Sequence, residues 1–334
     1  MVAHPHSEPR PYPLMLRTWD YRWWKPVVGI LVLVVGGLLV MPLLLMPVLA
    51  AGVAIEGGSQ PFMDRFMDAA SLDSITPSSM LYLNLTLASL TLVVIGIVRF
   101  IHRLRPRWLA SVLPGMRWKF FFACFGLSVI ALIASLLVGA LLPHDPDELG
   151  GDPNELTGRL IATGIVILLT TPLQALGEEY AFRGYLMQAF GSLTHGIMQS
   201  IGVSKVWATR IALGFALLIP SGLFALAHGT QNAPLFLDRF AFGLMAGLVV
   251  VLVGGLEAGI ALHILNNLLA FAVAIFFGDL EGALTVAEVS WWQLPVTIAQ
   301  NGVYLLLVLL VARKMGLRRT TAPPAPHTVP QPTG

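Results

Sequence analysis

The stretch that decides the fold is LIATGIVILLTTPLQALGEEYAFRGYL, residues 160–186. It begins as an apolar membrane helix. Two adjacent glutamates, Glu178 and Glu179, and then Arg183 follow without a break in helix-forming residues. Charge inside a bilayer is costly, and charged residues within membrane spans usually face the bundle interior and mark function. The stretch therefore predicts a membrane helix that carries a functional site.

The composition of the whole chain is typical of a membrane protein. Of its 334 residues, 56% are hydrophobic and only 11% are charged, whereas an ordinary soluble domain is nearer a quarter charged. The single cysteine, Cys124, excludes a disulfide within the chain and a cluster of thiolate metal ligands. The sequence has no glycine-rich phosphate loop and no basic stripe interleaved with aromatic residues. The lipid bilayer is therefore an expected partner, and nucleic acid is not.

Eight apolar stretches are long enough to cross a bilayer, which takes about 20 residues in a helix. They predict an all-α fold, a polytopic helix bundle of about eight transmembrane helices. The predicted spans are 27–54, 80–101, 119–142, 160–189, 208–229, 235–253, 258–277 and 294–312.

The charges of the connecting segments alternate in sign and predict the orientation. The basic segments are the head, the 102–118 loop and the start of the tail, and the acidic ones are the loops 55–79, 143–159 and 278–293. Basic segments stay in the cytoplasm. Both termini are therefore predicted to be cytoplasmic.

The same features divide the chain into five predicted parts. The tail is rich in proline and poor in bulky apolar residues, which predicts disorder. The parts are a basic cytoplasmic head 1–26, an N-terminal group of three spans 27–142, a catalytic helix core 155–280, a last span 294–312 and a disordered cytoplasmic tail 313–334.

Three polar clusters lie on consecutive spans of the predicted core. Glu179 and Arg183 are four residues apart, so they share a helix face and can form an ion pair. Glu178 lies about 100° away around the helix and is left as the unpaired carboxylate. The next cluster is Phe224 and His228, which also share a face.

The third cluster places an imidazole and a carboxamide on one face, because His263 and Asn267 are four residues apart. Its neighbour Asn266 points about 100° away and is expected to pack or bond between helices. A glutamate in a low-dielectric pocket suits a general base, and an asparagine amide can donate to a developing oxyanion. Together with two histidines, these groups favour a hydrolase that activates water and attacks an amide.

The three clusters also resemble the motifs of a known family. Glu178-Glu179-Tyr-Ala-Phe-Arg183 resembles EExxxR, Phe224-Ala-Leu-Ala-His228 resembles FxxxH and His263-Ile-Leu-Asn-Asn267 resembles HxxxN. In this order they are similar to the CPBP family of type II CAAX prenyl proteases and Abi-like bacteriocin-processing or self-immunity proteins. The resemblance covers about 155–280.

The resemblance implies an intramembrane endopeptidase acting on a membrane-embedded or membrane-associated peptide. By position, Glu178 would be the catalytic glutamate, His228 would act with it, and His263 and Asn267 would complete the site. Glu179, Arg183 and Phe224 would support it. The expected location is a bacterial cytoplasmic (inner) membrane, as a multi-pass protein.

The sequence leaves open whether the site uses a metal ion. The family is commonly classed with metalloproteases, but the chain has no HExxH motif to enforce zinc. His228 and His263, with Glu178, could hold zinc or another divalent metal with one open position. They could equally bind a water directly.

Depth in the membrane is the weak point of this site. Taken as straight crossings, the spans place His228 near an outer end, about 20 residues along span 208–229, and Glu178 and His263 near inner ends. The sequence alone therefore does not bring the three residues to one depth.

Three rival functions remain open on the sequence. One is a rhomboid-like serine protease using Ser221, which would leave Glu178 unexplained. Another is an ion- or proton-coupled transporter, since buried Glu, His and Asn also serve as ion sites. The third is a catalytically silent immunity or scaffold member of the same family.

Overall fold

The computed structural model describes residues 5–143 and 153–323, and these residues form helices and loops with no β-strand. Several helices run on through a π-helical turn, and each of these is counted as one helix. The helices are α1 Trp24–Glu56, α2 Phe62–Ser71, α3 Pro77–Ile101, α4 Trp118–Leu141, α5 Gly158–Ser200, α6 Lys205–Leu226, α7 Ala233–Val253, α8 Glu257–Phe277, α9 Leu280–Thr285 and α10 Gln293–Lys314.

Eight of these helices are long and apolar enough to cross a membrane, which confirms the predicted all-α bundle and its eight spans. All ends but one agree with the prediction within three residues. The exception is the predicted span 160–189, which continues to Ser200 and has 43 residues. The cytoplasmic orientation of the termini stays a prediction.

Helix α5 is the element against which the site is assembled. Its first half packs on α3 and α8, and its second half packs on α6, while α7 packs on α6 and α10. A Cβ atom on Gly177 would lie 2.1 Å from the carbonyl oxygen of Leu87. Because only glycine permits this approach, the backbones of α3 and α5 are in contact next to Glu178.

The α5 backbone widens directly after the two glutamates. Residues Tyr180–Leu186 form a π-helical segment, and Arg183, Gly184 and Tyr185 within it are buried. Such segments are rare and are found frequently at functional sites. The π-helical segment therefore begins directly after Glu179 and contains Arg183.

The segments near the two ends of the chain pack on each other. The Thr321 amide donates to the carbonyl oxygen of Arg10 over 2.9 Å, and the Arg10 amide donates to the Thr321 hydroxyl over 2.9 Å. Tyr12 and Met15 of the head are fully buried. Both end segments therefore lie on the same side of the bundle, as an even number of spans requires.

The predicted tail 313–334 differs from the structure at its beginning. Helix α10 continues to Lys314, and residues up to Thr321 are ordered against the head because of the two bonds between Thr321 and Arg10. Residues 324–334, and 144–152 of the acidic 143–159 loop, lie outside the described residues. The boundaries of the five predicted parts stay a prediction.

Candidate active site

Four charged or ionisable side chains meet where α5 crosses α8. Arg183 donates from Nη1 to Glu179 Oε1 over 2.7 Å. His263 lies 2.9 Å from Glu179 Oε1 through Nδ1 and 3.1 Å from Glu178 Oε2 through Nε2. We call Glu178, Glu179, Arg183 and His263 the site quartet.

The ion pair predicted from the four-residue spacing on α5 is confirmed. The side chains of Glu179 and Arg183 are 0% and 2% exposed, so the pair is enclosed. The guanidinium carbon of Arg183 lies 4.1 Å from the ring centre of Phe224 and 5.7 Å from that of Phe242. The two rings cover the cation on the side away from Glu179 and favour it by cation–π attraction.

The prediction that Glu178 is left unpaired is corrected by its contact with His263. Glu178 does not pair with Arg183, as expected from its position around the helix, but its Oε2 atom lies within hydrogen-bond distance of the imidazole. A helical wheel of α5 alone could not show this, because the partner comes from α8, 85 positions along the chain from Glu178.

His263 is held on both ring nitrogens by carboxylates. A carboxylate only accepts hydrogen bonds, so an imidazole that carries both N–H protons satisfies both contacts. A neutral imidazole has one N–H, and its other contact then requires a protonated carboxyl group. In either case a proton lies between His263 and one of the two glutamates. With His263 doubly protonated, the quartet has no net charge, which lowers the cost of holding it among membrane helices.

The two glutamates differ in their access to the surroundings. The Glu178 side chain is 11% exposed and that of Glu179 is 0% exposed. Glu179 binds Arg183 and His263 through one oxygen, and its Oε2 atom is buried without a hydrogen-bond partner. A Cβ atom on Gly259 would lie 2.7 Å from that oxygen, so the glycine leaves the space that the carboxylate occupies. Of the two glutamates, only Glu178 keeps some exposed side-chain surface.

His228 lies on the open side of this arrangement, two residues beyond the end of α6. Its Nδ1 atom is 2.7 Å from the carbonyl oxygen of Phe224. Because a carbonyl oxygen only accepts, Nδ1 carries the proton and Nε2 is left to act as an acceptor. The residue is exposed, in contrast to His263.

The structure corrects the expectation that His228 and the other two residues lie at different depths. The ring of Phe224 lies 4.6 Å from the ring of His228 and 5.9 Å from that of His263, so one side chain contacts both histidines. Span four is also longer than predicted. Glu178 is the 21st of 43 residues in α5, and therefore lies in the middle of the helix instead of at its end.

Asn267 lies one turn beyond His263 on α8 and contacts a residue that the motifs did not indicate. Its Nδ2 atom donates to Gln174 Oε1 over 3.0 Å. Gln174 is four residues before Glu178, and that spacing is the signal by which the sequence could have revealed it. Asn266 behaves as predicted and bonds between helices, since its Oδ1 atom accepts from Gln300 Nε2 over 2.9 Å.

Ser221 is not arranged as a nucleophile with a histidine base. Its hydroxyl donates to the carbonyl oxygen of Leu217 within α6 over 2.6 Å. His228 directs Nδ1 to Phe224, and within residues 5–143 and 153–323 no hydrogen bond joins Ser221 to a histidine. The geometry gives no support to the rhomboid-like alternative.

The donor set was compared with the needs of a metal ion. Across the described part of the chain, no group of three His, Cys, Asp or Glu residues is arranged to hold a metal. Glu178 and His263 instead contact each other, and His228 approaches them with one free nitrogen. The residues in this arrangement do not form a metal site.

The fold and the quartet define a multi-pass membrane protein with a buried carboxylate and histidine centre. Residues 160–269 match the family described as type II CAAX prenyl endopeptidase, Rce1-like. All three motifs lie inside this segment, and the match confirms the resemblance to the CPBP family. This is a family of proteases.

A curated relative is similar to a larger part of the chain. The uncharacterized protein YyaK of Bacillus subtilis (strain 168) is 25% identical over 228 residues, which cover 65% of this chain and 70% of the relative. No solved structure matches the chain.

Proposed function

We propose that this protein is an intramembrane endopeptidase that hydrolyses a peptide bond of a membrane-embedded or membrane-associated peptide by glutamate-activated water. The observation that carries the proposal is the site quartet, in which the Glu178 side chain is 11% exposed while Glu179 and Arg183 are enclosed. The quartet lies within the Rce1-like segment, and eight apolar helices make the protein integral to a membrane.

Glu178 is the general base of the proposed reaction. Its carboxylate removes a proton from a water, and the resulting hydroxide attacks the carbonyl carbon of the substrate. Glu178 suits this step because it is the more accessible carboxylate of the quartet and, when ionised, can accept a proton from a bound water. Glu179 cannot replace it, since it is enclosed and already bonded to Arg183 and His263.

The two histidines have different parts in this reaction. His228 offers Nε2 as an acceptor that orients the water against Glu178. His263 Nε2 lies 3.1 Å from Glu178 Oε2 and holds that carboxyl group in place, while the proton that Glu178 has taken from water passes to the leaving amine as the carbon–nitrogen bond breaks. Glu179 and Arg183 hold the His263 ring in place, and Phe224 separates and supports both histidines.

A divalent metal such as zinc is a second form of the same proposal. His228, His263 and Glu178 are the residues that would hold it, and it would supply Lewis-acid chemistry. Because these residues are not arranged as a metal site, none of the proposed steps is routed through a metal.

The decisive experiment compares wild type with Glu178→Gln. Both proteins are purified in lipid nanodiscs and incubated with a library of membrane-anchored and prenylated peptides, and the products are read by mass spectrometry. The expected result is cleavage by wild type that Glu178→Gln loses. Glu281→Gln, an exposed glutamate of α9, is the control and should keep full activity.

Other outcomes select among the alternatives. Proton-coupled uptake into liposomes without any cleavage would replace the protease by a transporter. Absence of both, with an intact fold, would identify a catalytically silent member. Elemental analysis of wild type and His228→Ala tests the metal: stoichiometric zinc that is lost in the variant would establish the metal-assisted form. Membrane fractions from a bacterial host test the proposed location in the cytoplasmic membrane.

A further inference from the structure

A second pair of polar side chains bridges α5 and α8, one helical turn from the contact between Glu178 and His263. We call the pair Gln174 and Asn267 the amide rung, and the pair Glu178 and His263 the catalytic rung. Gln174 precedes Glu178 by four residues on α5, and Asn267 follows His263 by four residues on α8. Glu178 contacts His263 over 3.1 Å, and Asn267 donates to Gln174 over 3.0 Å. The amide rung is therefore displaced from the catalytic rung by about 5.4 Å along the helices, the rise of one turn.

The amide rung keeps hydrogen-bonding capacity beyond the bond that forms it. Each carboxamide has two N–H donors and one carbonyl acceptor, and a single amide–amide bond uses one donor and one acceptor. Across the described residues, Gln174 Nε2 and Asn267 Oδ1 make no other hydrogen bond. The rung thus presents both a donor and an acceptor, and this holds whichever way each amide group is turned.

A substrate cleaved within a membrane needs such groups. In lipid every backbone N–H and C=O must find a partner, and a helix satisfies them internally. A peptide bond can be attacked only after the helix has opened locally, which leaves backbone groups of that stretch unpaired. Each unpaired group is costly in hydrocarbon, so a donor and an acceptor beside the catalytic glutamate would stabilise the opened stretch.

We propose that Gln174 and Asn267 together bind one peptide unit of an extended substrate backbone, one or two residues from the bond that is cleaved. This separation follows because one helical turn lies between the two rungs, and an extended chain rises about 3.3 Å per residue, so one or two substrate residues span that turn. The inference rests on the proposed peptidase function and adds to it that the substrate is a locally unwound segment, recognised through its main chain at this position.

The chain supplies a matched control for Gln174. Gln300 of α10 bonds to Asn266 of α8 over 2.9 Å, in the same kind of amide–amide contact between two helices. Asn266 and Asn267 are adjacent, but Asn266 points about 100° away around α8. Gln300→Leu therefore removes an equivalent interhelical bond without touching the rung beside Glu178.

The test uses backbone esters. The best-cleaved peptide of the library is synthesised as a series in which one backbone N–H at a time is replaced by an ester oxygen, which removes a donor and weakens the adjoining carbonyl acceptor. Initial rates are measured for wild type, Gln174→Leu and Gln300→Leu. In wild type, one ester position near the cleaved bond should lower kcat/KM about tenfold, the effect of one hydrogen bond. In Gln174→Leu the same ester should cause no further loss, and in Gln300→Leu the tenfold loss should persist.

The possible results separate the two proposals. If Gln174→Leu keeps the full ester effect, or if no ester position near the cleaved bond matters in wild type, the amide rung does not bind the substrate backbone while the peptidase stands. If both leucine variants lose the ester effect equally, the contact is only interhelical and the inference is overturned. If wild type cleaves no peptide of the library, the peptidase and the inference fail together.

Discussion

Two charge networks in this protein use the same kinds of group in opposite surroundings. In the site quartet, Glu179 and Arg183 are 0% and 2% exposed. Near the head of the chain, Glu8 bonds to Arg10 over 2.7 Å and also to Lys205, and the side chains of Glu8 and Lys205 are 35% and 58% exposed. We call Glu8, Arg10 and Lys205 the head network. Both networks contain charge pairs at hydrogen-bond distance, and they differ mainly in their access to water.

The comparison shows where charge is required and where it is only tolerated. Water screens the head network, so its pairs contribute little to stability. The quartet has no such screening, and removing one partner leaves an uncompensated buried charge. Glu178 is the exception within the quartet, because it is partly open and does not neutralise Arg183. The enclosed charges therefore hold the arrangement together, and the more accessible one is the proposed general base.

The largest effect is expected for Glu178→Gln. Loss of a general base lowers the rate by about 10²–10⁴-fold, and the amide keeps the size of the carboxylate, so the protein should remain folded. Cleavage assays combined with a denaturant titration check this. Activity close to that of wild type would show that Glu178 is not the base.

Arg183→Leu tests the enclosed ion pair of the site quartet. The substitution leaves Glu179 buried without its cation and should lower the free energy of unfolding by about 3–5 kcal/mol. Arg210→Ala is the control, because Arg210 is exposed and stacks on Trp207. Unfolding in mixed micelles measures both variants, and equal stability of the two would contradict the importance of burial.

Gly259→Ala sharpens the account of how Glu179 is placed. The added Cβ would lie 2.7 Å from Glu179 Oε2 and should displace the carboxylate from His263, at an overpacking cost of about 1–3 kcal/mol. We expect kcat to fall about tenfold or more with little change in KM. Gly302→Ala, whose added Cβ meets nothing within 4 Å, should have wild-type kinetics. A similar loss of kcat in that variant would contradict the claim that Gly259 leaves the space for the Glu179 carboxylate.

The smallest effect is expected in the head network. Hydrogen bonding by Lys205 lowers the pKa of Glu8, with Arg10 adding to the shift. A lowered carboxyl pKa stabilises the fold above the ordinary pKa of the group, and this stabilisation is lost as the pH falls through the lowered value. Glu8→Gln should therefore destabilise by less than about 1 kcal/mol at pH 7, and the difference from wild type should vanish in acid. Thermal unfolding at several pH values measures it; a difference that grows in acid would have the wrong sign.

Much of the fold could be predicted from the sequence because hydropathy and helix length are local properties. The eight spans, the pair of Glu179 with Arg183 and the interhelical bond of Asn266 all follow from composition and from spacing on one helix. The continuation of α5 to Ser200 was missed, because the apolar pattern weakens after residue 189 while tertiary packing on α6 maintains the helix.

The contacts within the site could be predicted only in part. The motifs selected Glu178, His228, His263 and Asn267, but spacing along one helix gives no distance between two helices. The binding of His263 by both glutamates depends on how closely α5 and α8 approach, which Gly259 permits. Gln174 was missed because no motif includes it, although it lies on the face of α5 that carries Glu178.

The bonds between Arg10 and Thr321 impose an order on biosynthesis. The two residues are separated by 311 positions, so the head leaves the ribosome long before its partner exists. Tyr12 and Met15 of the head are buried in a core whose other buried members extend to Ile264, so this part of the head packs on residues that are made well after it. A chain that stops short of Thr321 therefore lacks both of these bonds to the head.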